Sequence, residues 1–370
     1  MLKLNEYILK NRNSINKPNI EYAWYDEMYI NTKASFYDVP TVDGVKRVFA
    51  FISYPETKMP DGGYPAIILI HGGNGAAYHE MSKLWSVRGY VVIAPDFNGK
   101  YAKKLTERGL DNPYCDIHGY GSFNDYKSKN PWAYFSVLSA MRAIDVLCTD
   151  PLINKNLIFS IGLSWGGFIN LLFLSVEKRI KAASIIYSSA YISSSKWAHM
   201  EHVSNDFKDD EWKIYDEYID PQTYLKNIIC PVLFTAGADD IAFTMENRRK
   251  TAAKIPSKTY FAYRNSFPHA NFFGFEQKES DLFFKSFIYH IEFENIEFDV
   301  EDKLINLKNK NDKAKYYLNE TKEHYSNSDT LIWTRREITN NAILLDNETK
   351  TYFIEKVDDI YTFSSNVINL

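Results

Sequence analysis

Ser164 stands between glycines in Gly162-Leu163-Ser164-Trp165-Gly166, a G-x-S-x-G pattern. A serine hydroxyl is a weak nucleophile and attacks a carbonyl only when it projects clear of the chain beside a base. A sharp strand-to-helix turn projects it, and such a turn is crowded enough to require glycine on either side. The helix that follows aims its first N–H groups at the negative charge that forms during attack. By average composition the pattern arises by chance in about one chain in ten of this length, so its setting decides its meaning. Here one apolar run, residues 157–163, precedes the serine and another, residues 166–176, follows it.

Three further groups would complete acyl-transfer chemistry. His71-Gly72-Gly73-Asn74-Gly75 follows an earlier apolar run. Glycines there let backbone N–H groups approach a carbonyl oxygen, so Gly73 or Asn74 would supply one oxyanion donor and Trp165 the other. A glycine turn at a strand end is the plainer reading of such a loop; its place two strands ahead of Ser164 favours the donor role. His71 reads as a structural residue under that loop rather than a base.

The acid is sought in Ala236-Gly237-Ala238-Asp239-Asp240, which closes the run at 231–235. Adjacent loop residues point in different directions, so one of the two aspartates faces the base. We take Asp240, three residues after Gly237, and assign Asp239 to the turn or to solvent. Downstream of the acid, before the chain changes character, stand His269 and His290. His290 falls in an expected helix. His269, in Ser266-Phe267-Pro268-His269-Ala270-Asn271, falls on a loop where one ring nitrogen can reach Ser164 and the other Asp240. His199 and His202 form H-x-x-H without a Glu or Cys partner at metal-site spacing, so no metal is expected. Tyr191, Trp197, Trp212 and Phe243 are candidate pocket residues, although both tryptophans read equally well as core of their own segment.

These residues need elements to position them. Short apolar runs at 65–70, 90–95, 157–163, 181–187, 231–235 and 259–263 read as buried strands. Helices are expected at 80–88, from Pro131 to about 147, and at 166–176, 244–254 and 280–291. Strands at 27–30 and 47–54 come before them, while residues 1–45 are otherwise unassigned. This alternation implies an α/β fold with a mostly parallel sheet flanked by helices. Two long excursions, 96–130 and 188–228, interrupt it. After about residue 295 the pattern becomes short strands separated by Asn, Asp and Ser, as in a small all-β sandwich. The expected division is a catalytic domain over 1–294, with 1–45 as an N-terminal extension, and a C-terminal β-sandwich over 295–370.

The 370 residues carry a net charge of −4, with 45% apolar, 24% charged and 16% aromatic side chains. No basic excess points to nucleic acid or to an anionic membrane. No apolar run is long enough to span a bilayer. The three cysteines, Cys115, Cys148 and Cys230, form no CxxC and read as free thiols. Together with a start, MLKLNEYILKNRNS, that lacks an apolar leader core, they give the expectation of a cytoplasmic protein.

The stretches IILIHGGNGAAYHEMSKLWSVRGYVVIAPDFNG, LIFSIGLSWGGFINLL, PVLFTAGADDIAF and SFPHANFF resemble the α/β-hydrolase superfamily. They resemble in particular its bacterial carbohydrate-esterase branch, close to acetylxylan esterases and dienelactone hydrolases. The tail from YYLNETKEHYSNSD onward is similar to the C-terminal sandwich appended in that group. The resemblance covers most of residues 45–370. It implies a serine esterase using Ser164, Asp240 and His269 without a cofactor, with acyl esters of sugars as the substrate class. Dienelactone hydrolases proper use a cysteine nucleophile, so Ser164 departs from them. A small-molecule or oligosaccharide ester is thus the expected partner, with a homo-oligomer possible. Two alternatives stand beside this reading. One is a serine peptidase of the prolyl-oligopeptidase type, although about 65 residues ahead of the first hydrolase strand are too few for a propeller. The other is a binding scaffold without catalysis, whose mark would be a missing triad member.

Overall fold

The computed structural model describes residues 2–12, 17–22, 31–41, 44–73, 75–100, 127, 131–199, 207–322 and 331–370. The strand expected at 27–30, most of the 96–130 excursion, Asn74, Cys115 and His202 lie outside the described residues.

The centre is a parallel sheet of β4 (Tyr64–Ile70), β5 (Val91–Pro95), β6 (Ile153–Leu163), β7 (Ala182–Ile186), β8 (Val232–Gly237) and β9 (Thr259–Arg264). Their order is β5-β4-β6-β7-β8-β9, and every adjoining pair is parallel. Every residue of β4, β5, β7 and β8 is buried, which is why these strands read as unbroken apolar runs. Helices cross between them: α2 (His79–Val87), α3 (Trp132–Thr149), α4 (Trp165–Val176) and α6 (Met245–Lys254); a short α7 (Asn271–Phe275) and α8 (Lys278–Ile288) follow β9. The helix α5 (Asp209–Tyr218) belongs to the second excursion and α1 (Leu4–Arg12) opens the chain. Antiparallel strands β1 (Ile20–Tyr22), β2 (Thr32–Thr41) and β3 (Gly44–Ser53) extend the sheet beyond β5.

The strand order reverses at β4: the chain moves one way to β5, then returns to the other side as β6. Loops leaving the carboxyl ends of neighbouring strands part at such a reversal and open a crevice. The Gly72–Gly73 turn leaves β4 and the Ser164 turn leaves β6, with Ile70 opposite Gly162 in register. The topology thus places the two motifs side by side.

The C-terminal strands form two layers around a second core of Ile305, Leu307, Tyr316, Leu318, Tyr352 and Ile354. One layer is β10 (Phe298–Glu301), β11 (Leu304–Leu307) and β14 (Ala342–Leu344). The other contains β12 (Lys315–Thr321), β13 (Thr334–Glu337), β15 (Thr351–Val357), β16 (Thr362–Ser364) and β17 (Ile368–Asn369). This second layer is not a free-standing sheet. β16 pairs antiparallel with β9 at Ser364 and Phe261, so the hydrolase sheet runs on into it. The Ser364 hydroxyl accepts the Tyr263 N–H at 2.9 Å, and Glu279 of α8 accepts from both Arg264 and the Thr362 N–H.

The helix expected at 280–291 ends at Ile288, and His290 lies exposed in the turn beyond it with φ +57°. No helix among the described residues is long and apolar enough to cross a membrane.

Candidate active site

Ser164 sits between β6 and α4 with φ +54° and ψ −122°, a conformation that costs an L-residue about 1–3 kcal/mol. Its neighbours show why the motif needs glycine. A Cβ on Gly166 would lie 2.1 Å from the Ile70 carbonyl oxygen, and one on Gly162 would lie 2.4 Å from the Gly166 carbonyl oxygen. The turn is pinned by the Ser164 N–H, which donates to the Ile186 carbonyl of β7 at 3.0 Å. Trp165 is the first residue of α4, so its N–H belongs to the helix's opening turn, where the positive end of the dipole lies.

The glycine turn after β4 approaches this serine directly: a Cβ on Gly72 would stand 3.4 Å from that of Ser164. His71 supports the turn from inside. Its Nδ1–H donates to the Gly72 carbonyl at 2.8 Å, and its Nε2 accepts the Phe97 N–H at 3.0 Å. Burial pushes its imidazole down to about 4. It is therefore a neutral strut, and its Nε2 is 3.9 Å from Asp96. Asn98 braces the same loop by donating to the Gly75 carbonyl at 3.0 Å.

His269, on the loop after β9, and Asp240, on the loop after β8, meet at Ser164. The Ser164 hydroxyl lies 2.7 Å from His269 Nε2, and His269 Nδ1 lies 3.1 Å from Asp240 Oδ2. His269 keeps 29% of its side-chain surface exposed, whereas Asp240 and its other partners are buried. The Asp240 Oδ1 accepts the N–H groups of Ala242 and Phe243, and its Oδ2 also accepts from Arg248 Nη2 at 2.5 Å. Burial opposes charge on this carboxyl, but Arg248, His269 and the Phe243 N–H outweigh it and hold the group below its ordinary value.

Asp239, the competing acid, turns the other way. It accepts from the Ser266 hydroxyl at 2.8 Å and from the Phe267 N–H at 3.4 Å, and so fastens the loop that carries His269. Aromatic rings hold the imidazole itself: Tyr187 lies 4.3 Å from it, and Phe243 lies nearly parallel at 6.1 Å. Tyr187 adopts φ +36° at the end of β7.

The candidate pocket residues divide. Trp197 and Phe243 join Trp165 in a three-ring group with centroids 5.9–6.4 Å apart. Trp212, on α5, packs with Phe207, Tyr215 and His199, which is the core reading of that segment. Tyr191 is a joint: at φ +63°, its N–H and that of Ile192 both donate to the buried Asp220. Burial and the nearby Asp216 push that carboxyl up to about 7, against the pull of the N–H donors.

Helix α6 carries residues that the motifs did not reveal. Arg248 reaches Asp240, Asn247 donates to the Tyr191 carbonyl at 2.9 Å, and Thr251 accepts the Ala190 N–H at 3.0 Å. Their spacing gave no usable signal, because polar side chains at i, i+1 and i+4 of MENRRKTAAK read as a solvated face until the sheet beneath is known. Among the described residues no group of three or more His, Cys, Asp and Glu side chains could hold a metal ion.

A strained serine at the head of a helix, a histidine bridging it to a buried carboxylate, and a parallel sheet reversing at the same point define an α/β-hydrolase. The chain belongs to the dienelactone hydrolase family, whose sequence profile it matches over residues 50–292. It is a hydrolase. Among solved structures it is similar to an acetyl xylan esterase from a Paenibacillus species, with a TM-score of 0.60 and 15% identity over 76% of this chain and 92% of that one. It is also similar to acetyl xylan esterase 1 from a Thermoanaerobacterium species, with a TM-score of 0.56 and 18% identity over 76% of this chain and 90% of that one. At these identities the likeness is one of fold. A probable dipeptidyl-peptidase 5 from Emericella nidulans is 27% identical over 186 residues, 46% of this chain. The match spans 23% of that protein's length.

Proposed function

We propose that the protein is a serine carboxylic-ester hydrolase that removes acetyl or other small acyl groups from carbohydrate. The observation that carries the reading is the continuous path from the Ser164 hydroxyl through both nitrogens of His269 to Asp240, at 2.7 and 3.1 Å. His269 takes the Ser164 proton as Oγ attacks the ester carbonyl, and Asp240 orients the imidazole and stabilises its cation. The N–H of Trp165 and one from Gly73 hold the oxyanion, with Asn74 as the other candidate at that loop. His269 then protonates the departing alkoxide, and water releases the acyl group by the same steps in reverse order.

The sugar-ester assignment draws on the acetyl xylan esterases that share the fold and on Trp197, whose half-buried ring packs on Trp165 and Phe243. A half-exposed aromatic face is suited to stacking on a sugar ring. The free thiols Cys148 and Cys230 fit a reducing compartment, and a small acylated oligosaccharide inside the cell is the proposed substrate form. The match to the probable dipeptidyl-peptidase favours a second reading, cleavage of short peptides.

Hydrolysis of p-nitrophenyl acetate, acetylated oligosaccharides and chromogenic dipeptides distinguishes the two. The ester reading expects turnover of the first two and lowers it at least about a thousandfold in Ser164→Ala. Cleavage of the dipeptides alone moves the assignment to a peptidase. Near-normal ester turnover in Ser164→Ala removes Ser164 from the reaction.

A further inference from the structure

We propose that Arg248 is a positioning residue of the catalytic apparatus: its guanidinium fixes Asp240 Oδ2, the oxygen that receives His269, and prevents that oxygen from becoming the final destination of the serine proton. The inference rests on the serine-hydrolase reading above.

Arg248 has no exposed surface. A buried guanidinium is costly unless a charge and hydrogen bonds offset its lost hydration. Here Nη2 donates to Asp240 Oδ2 at 2.5 Å, while Nη1 donates to the Gly237 carbonyl at 3.1 Å and faces the Met245 sulfur at 3.0 Å. The fork is thus held from β8 and from its own helix, and one arm lies against the acid. Asp240 has its Oδ1 taken by two backbone N–H groups and its Oδ2 shared by His269 and Arg248. Neither oxygen is left to swing.

Sharing one oxygen has a chemical consequence. The positive charge draws electron density from Oδ2, so the Nδ1 proton stays on the imidazole as Nε2 takes up the serine proton. Asp240 orients and stabilises the cation without accepting a proton from it. The groups facing this pair come from every adjoining element: His269 from the loop after β9, Tyr263 from β9, Tyr187 from the end of β7, and Arg248 from α6. Asp239 is adjacent in sequence, but its carboxylate is directed to Ser266 and Phe267.

The test follows kcat/KM for p-nitrophenyl acetate between about pH 5 and pH 9 in wild type, Arg248→Met, Arg248→Lys and Ser164→Ala. In Arg248→Met the charge that most opposes the burial of Asp240 is gone, and His269 with the two backbone N–H groups offsets it only in part, so the carboxyl takes a proton at higher pH. The limb on which activity falls with falling pH should move up by about one pH unit or more. On that limb the loss is about tenfold per unit, and it should appear in kcat with KM little changed. Arg248→Lys keeps the charge and should restore the limb. An unmoved limb in a folded Arg248→Met overturns the proposal, whereas activity surviving in Ser164→Ala overturns the underlying reading instead. If Arg248→Met does not fold, Asp240→Asn and the Asp240→Asn/Arg248→Met pair decide. The pair should recover the folded protein that Arg248→Met loses, because the buried carboxylate left without its counter-charge is gone. A pair as unfolded as Arg248→Met, beside a normally folded Asp240→Asn, makes Arg248 mere scaffold and overturns the proposal.

Discussion

Two buried carboxylates in this molecule are built from nearly the same parts. Asp240, at the rim of the parallel sheet, is paired with Arg248 and two backbone N–H groups. Glu320, on β12 in the C-terminal strands, accepts from Arg336 Nε at 2.7 Å, the Thr349 hydroxyl at 2.5 Å and the Asp346 N–H at 3.1 Å. A cavity of about 360 Å³ even opens beside Glu320, lined by Lys322, Arg336 and Asp346. The difference is where each network leads. The Glu320 partners end in structural backbone and side chains. The Asp240 network continues through an imidazole to a hydroxyl on a strained turn. Both sites pair a buried carboxylate with an arginine, and in the proposed reaction it is the link to Ser164 that sets Asp240 apart.

The sharpest way to break this comparison is to neutralise each acid in turn. Asp240→Asn should lower kcat for p-nitrophenyl acetate by about 10⁴, the cost of a misoriented triad histidine. Glu320→Gln should leave kcat and KM unchanged. Comparable losses in both would place the C-terminal strands in the chemistry.

Asp239→Asn probes the neighbouring carboxylate and should cost about tenfold or less, because it loosens the Ser266–Phe267 loop without uncoupling His269. If Asp239→Asn is the crippled enzyme and Asp240→Asn is not, the acid has been misassigned.

Glu320→Gln weakens a charge-assisted pair and should lower the unfolding free energy by about 1–3 kcal/mol in urea titration. A neutral outcome would mean that the pair offsets only its own burial.

The His71 strut under the Gly72–Gly73 turn gives a pH signature. His71 is held down to about 4, against 6.5 for an ordinary histidine. As pH falls, the unfolded chain therefore takes the proton first. The contribution of His71 is complete above about pH 6.5 and disappears progressively down to about pH 4, amounting to about 3 kcal/mol. His71→Gln should flatten that part of the stability curve, and an equally steep curve in the variant would assign the slope to other groups.

Much of the site was legible because its chemistry dictates residue types on short turns. Ser164 between glycines, the glycines after β4, Asp240 at the end of β8 and His269 on the loop after β9 each announce a constraint that sequence expresses locally. Arg248 was not legible, since an arginine in MENRRKTAAK reads as a solvated helix residue until the sheet beneath it is known. Trp212 stayed open for the opposite reason: a large ring fills a pocket or a core equally well, and packing alone decides. β2 lies in a stretch left unassigned, for its place comes from pairing along β3 rather than from its own pattern. The join of β16 to β9 was not legible, because its one paired position and the Ser364 and Glu279 bonds beside it link residues distant in sequence.

The central claim is that Ser164, and no other hydroxyl, is activated through His269. Labelling with a fluorophosphonate, followed by peptide mass mapping, tests this directly. A single adduct on the peptide carrying Ser164, lost in His269→Ala, is the predicted result. An adduct on another residue, or full ester hydrolysis by a protein whose Ser164 stays unlabelled, contradicts it.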